Sequence, residues 1–187
     1  MGLIVRIGAL AAIVGGALVA IGHLANLAGE DRSGTVMGQT LVLAAHVLLV
    51  LALIAIAVRA AGDILIVFGA TLAAAGTSLV TAVVVVDLLA AEGVLDRQRF
   101  VESTAGPVDV IAPVLFVAGI VLIGIGALKS SLPTGAGVAL LVGGVLEVLG
   151  IAVPVASVAG AVVLAVGFVW LGMDMLMPAR TGPEGTA

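Results

Sequence analysis

The chain has 187 residues, 63% of them hydrophobic and only 10% charged, with a mean hydropathy of +1.41; this balance excludes a domain whose main solvent is water. A net charge of −4 argues against nucleic acid and against polybasic contact with anionic lipid. The absence of cysteine removes disulfides, thiolate metal sites, covalent haem attachment and a thiol nucleophile.

Six apolar segments fill the sequence and predict an all-α polytopic membrane protein, a bundle of six transmembrane helices. One transmembrane domain is expected over residues 1–178, with a short polar tail at 179–187. The first span, about 3–28, opens with an apolar run longer than the core of a signal peptide and reads as a retained helix. Its Gly8, Ala12, Gly16 and Ala20 lie four residues apart, a small-residue row that lets membrane helices approach closely. His23 falls on the same face near the far end. After the polar turn GEDRSGTV, the second span covers about 36–58, and Thr35, Gln39 and His46 superpose into a polar stripe descending toward mid-membrane.

The third span, about 64–91, holds Thr71, Thr77, Ser78 and Thr81, whose hydroxyls are expected to bond back to their own helix. Asp87 interrupts VVVVDLL about a turn before the end, where snorkelling to the interface is open to it. The one sizeable loop follows, EGVLDRQRFVESTAG, with Val94, Leu95, Phe100 and Val101 placed to lay a short segment on the membrane surface. In the fourth span, about 107–128, Pro107 suits a helix start, Asp109 its first turn and Pro113 a kink. The fifth and sixth spans, about 133–151 and 154–177, are joined by a tight hairpin at 152–156, and Pro178 is a stop.

The fifth span, GAGVALLVGGVLEVLGI, carries Glu147 inside an apolar helix, in one row with Gly135, Ala139 and Gly143. An acidic group at the bilayer centre costs about 2.5–3.5 kcal/mol by insertion scales, so this face is expected against protein. The first, third and fifth spans run in one direction, which places His23, Asp87 and Glu147 near one membrane face, with His46 entering from that side; the opposite leaflet has only Asp174. With both termini cytoplasmic, Arg6, Arg59, Lys129 and Arg180 lie inside against Arg32, Arg97 and Arg99 outside, the direction the positive-inside rule requires.

Three functions fit such a polar cluster. Proton-coupled transport of a small solute or ion would use Glu147 and His46 as proton or ligand groups, with Asp87 setting the charge and His23 as donor or second ligand. A structural or accessory subunit would use the same residues as interhelical hydrogen-bond partners. A metal-dependent enzyme would draw its ligands from His23, His46, Asp87 and Glu147, although no H-E-x-x-H or other spaced motif is present. No catalytic residue is assigned and no cofactor is expected. The partners expected are the lipid bilayer and, through small-residue helix faces, a second copy or a larger membrane complex. The Ala, Val, Gly and Arg bias suggests a prokaryotic cell membrane.

Overall fold

The computed structural model describes residues 2–29, 34–130, 132–150 and 153–177. Among these, every regular element is a helix: α1 (Leu3–Asn26), α2 (Val36–Arg59), α3 (Ile64–Ala91), α4 (Arg97–Glu102), α5 (Val108–Ala127), α6 (Thr134–Gly150) and α7 (Pro154–Leu176). The starts are set by local chemistry. Thr35 Oγ1 accepts the Gly38 amide at 2.9 Å, Asp63 caps α3 by accepting from Leu65 and Ile66, and Asp96 accepts from Gln98 to begin α4. Gly93, with φ of 72°, turns the chain out of α3. α5 runs through Pro113 without a break, and the short α4 forms inside the expected surface segment. The EDRS part of the first turn, Pro178 and the tail lie outside the described residues, as does the first residue of the expected last hairpin, Ala152.

Helices α1, α2, α3, α5 and α7 are each long and apolar enough to cross a membrane. The sixth expected span, α6, is apolar but has only 17 residues, which at 1.5 Å per residue reaches about 25 Å, the short end for a spanning helix.

The six long elements close into a ring. α1 packs on α2, α2 on α3, α3 on α5, α5 on α6, α6 on α7, and α7 returns to α1, so α6 stands across the ring from α2. Glycine brings backbones together at every one of these seams except α2–α3. Gly69 and Gly119 meet between α3 and α5, Gly124 and Gly137 between α5 and α6, and Gly172 lies on Ala9 and Ala12 between α7 and α1. In lipid, where apolar burial gives helices no net drive to associate, such close packing is what holds a bundle together. Large side chains fill the centre, among them Leu49, Leu53, Ile120, Leu140, Phe168 and Leu171, while Leu10, Val14, Leu51, Ile54, Val142 and Val166 point outward.

The row Gly8, Ala12, Gly16, Ala20 does not mark one seam. Gly8 faces Ala55 of α2, whereas Gly16 faces Ala165 and Phe168 of α7. The α2 seam runs instead through Gly8, Gly15 and Gly22. A four-residue step turns by about 40° and walks off the face, while a seven-residue step drifts by only about 20°.

Candidate functional site

The ring has two chemically different ends. Arg6, Arg59 and Lys129 lie at the end where α1 begins, with Asp63 and Asp174. The other end, where α1, α3 and α6 finish, carries Asp87, Glu92, Asp96, Glu102, Asp109 and Glu147 against Arg97 and Arg99.

Glu147 sits in the last turn of α6, half-buried and turned toward α7. Gly160 makes room for it: a Cβ there would stand 2.9 Å from the Glu147 amide nitrogen and 3.2 Å from its Cγ. Ser157 Oγ donates to Glu147 Oε2 at 3.1 Å. Among the described residues no cation forms an ion pair with this carboxylate.

Asp87 belongs to a different assembly. Arg97, at the start of α4, reaches back so that its Nε donates to Asp87 at 2.5 Å and its Nη2 to Asp109 at 2.5 Å. The same guanidinium lies 5.7 Å from the Phe100 ring centroid. One fork thus joins the end of α3, the loop and the start of α5. Partial burial opposes the Arg97 charge, but Asp87 and Asp109 outweigh it and raise its pKa above the ordinary arginine value.

The histidines bond to their own helices, His23 Nδ1 to the Val19 carbonyl at 3.0 Å and His46 Nδ1 to the Val42 carbonyl at 2.8 Å. His46 is buried ten residues into α2, about 15 Å below its start, and its ring centroid lies 6.2 Å from that of Phe116 on α5. Gly76 of α3 packs against the Phe116 backbone, and the next residue, Thr77, is fully buried. Gln39, His46 and Thr77 are the buried polar residues of the described chain, all on α2 and α3.

The four residues expected to share a site therefore occupy separate places, and none is bonded to another. Only His23 and His46 come within electrostatic reach of each other. No three His, Asp or Glu side chains among the described residues form a set able to hold a metal ion. The sequence reading missed Arg97, Ser157 and Asn26, whose Oδ1 accepts the Thr35 amide at 3.0 Å and ties α1 to α2. Ser157 had a signal: it is the one hydroxyl of the sixth expected span and lies next to the expected hairpin, at the same end as Glu147. No family model matches this chain, and neither a curated protein nor a solved structure matches it, so a functional reading rests on this chemistry alone.

Proposed function

We propose that this is a multi-pass protein of a prokaryotic cell membrane that couples a proton, taken up and released at Glu147, to the movement of a small ion or solute. The observation carrying this reading is the contrast between acidic groups. Asp87 and Asp109 are held by Arg97, whereas Glu147, within an apolar helix, has among the described residues one neutral hydroxyl partner and no cation. A carboxylate placed so is costly in a bilayer unless it exchanges a proton or meets water. The basic end of the ring is assigned to the cytoplasm, with both termini, by the positive-inside rule.

The test is reconstitution into vesicles with an internal pH dye and an imposed potential. Protein-dependent proton flux that falls at least about tenfold in Glu147→Gln, a barrier higher by about 1.4 kcal/mol or more, is the expected result. Flux no greater than in protein-free vesicles, or unchanged by Glu147→Gln, overturns the reading.

A second reading, a structural or accessory subunit, is favoured by the large apolar side chains that fill the ring centre. A partner or second copy would then pack on the outward face of α3, where Thr71, Ala75, Ser78 and Ala82 replace the Val, Leu and Ile that the other helices present. This reading gives no flux and a complex larger than one chain.

A further inference from the structure

Five of the six seams are fastened by glycine contacts that bring one backbone onto the next, and the α2–α3 seam is the exception. The two helices that form it also carry the buried polar side chains of the described chain, Gln39 and His46 on α2 and Thr77 on α3. Thr77 is the telling member. Thr40, Thr71, Ser78 and Thr81 each donate to the carbonyl four residues before, at 2.8–2.9 Å. This is the usual fate of a hydroxyl in an apolar helix. Thr77 does not: it is 0% exposed and its Oγ1 has no hydrogen-bond partner among the described residues. A buried hydroxyl left unmade penalises the packing that buries it. Any rearrangement that gives it a partner is favoured by that amount.

We propose that the ring opens at the α2–α3 seam and that the open form admits a small, uncharged, hydrogen-bonding guest of about water's size to Thr77 and His46. The chemistry selects that class. An imidazole and a hydroxyl provide both donors and acceptors, while neither forms an ion pair among the described residues that would hold an ion. Phe116, beside His46 and against Gly76, walls the site on the α5 side. Opening here leaves the α3–α5 fork of Arg97 and the glycine contacts of both flanking seams intact, so α3 moves with α5 and α2 with α1. The inference deepens the transport reading by naming where the guest enters, but its test reads opening without flux. A closed seam and a Glu147 that carries no proton are thus separate failures.

Hydrogen exchange on the unaltered protein in lipid is the first measurement. Amides of residues 39–49 and 73–81 should exchange about tenfold or more faster than those at matching depth in α1 and α7. Thr77→Cys, in a chain with no other thiol, should react with a water-soluble methanethiosulfonate at least about tenfold faster than Ala161→Cys, which is equally buried in α7. Equal exchange in all four helices overturns the proposal, as does exchange fastest along α5–α6 or Thr77→Cys labelling no faster than Ala161→Cys. If Thr77→Cys does not fold, the exchange pattern alone decides.

Discussion

Replacing Arg97 by Gln removes one cation and strands two acids. Asp87 and Asp109 each contact the same guanidinium at 2.5 Å, and their side chains are only 16% and 26% exposed. Without Arg97 they are left sharing the space of one guanidinium, and two unit charges about 5 Å apart repel by about 3 kcal/mol at an effective dielectric of 20. Two charge-assisted hydrogen bonds are lost as well, at about 1.5–3 kcal/mol each, while water entering the loop returns much of that. The net expectation is about 3 kcal/mol, at the low end of the 3–5 typical for breaking a fully buried pair. For a chain of this length that lowers the melting midpoint by about 6–12 °C. Thermal unfolding in detergent micelles, followed by Trp170 fluorescence, measures it. Removing the acids along with the cation, in Arg97→Gln with Asp87→Asn and Asp109→Asn, should recover more than half of the loss. A single variant that melts with the unaltered protein, or a triple variant no better than the single, would refute the reasoning.

The seams make a second prediction: Gly119→Ala places a Cβ on the Gly69 carbonyl and the Ala73 amide, backbone atoms that cannot move aside, and should cost about 1–3 kcal/mol. Gly62→Ala, with nothing within 4 Å, should be neutral, and equal melting of the two variants would count against glycine packing as the fastener. Ser157→Ala removes the hydrogen bond to Glu147 and should destabilise by about 1.5–3 kcal/mol if the carboxyl is charged, but only about 1 if it is protonated. Stability measured across pH separates the two cases. Trp170, 44% exposed beside an apolar groove lined by Ala20, Val166 and Met173, should be quenched by lipids brominated along the acyl chain, and an unquenched Trp170 would remove α7 from the lipid boundary.

The six long helices were legible because each is a predominantly apolar run with at most two charged residues, and hydropathy needs no tertiary knowledge. Glu147 facing a neighbour was legible too, since Gly143 and Gly135 on its row left no bulk to fill lipid. Convergence of the polar residues was not. Depth along a helix follows from counting residues, but which way around the axis a side chain points relative to helices elsewhere in the chain depends on ring order. Asp87 looked like a companion of Glu147 at equal depth, yet α3 turns it toward the loop, where Arg97 waits ten residues on. Thr77 looked like its neighbouring hydroxyls, and only packing distinguishes it. The double glycines carried information that spacing alone did not reveal: Gly15 meets α2 while Gly16 meets α7, and Gly143 meets α7 while Gly144 approaches α5. Adjacent residues point about 100° apart, so such a pair serves two neighbours at once.

Because α7 closes the ring onto α1, the earliest helix of the ring waits for the ring's latest. Chains emerge from synthesis in order, so until α7 is inserted α1 presents Ala9, Ala12 and Gly16 to lipid with no partner, and the growing bundle is an open arc. An arc with one vacant edge accepts the α7 of another copy as readily as its own, the arrangement that leads to domain-swapped pairs. The hairpin of α6 and α7 works against this, holding the closing helix at high effective concentration beside its own arc. Lengthening that hairpin should therefore shift the protein from closed single rings toward exchanged dimers.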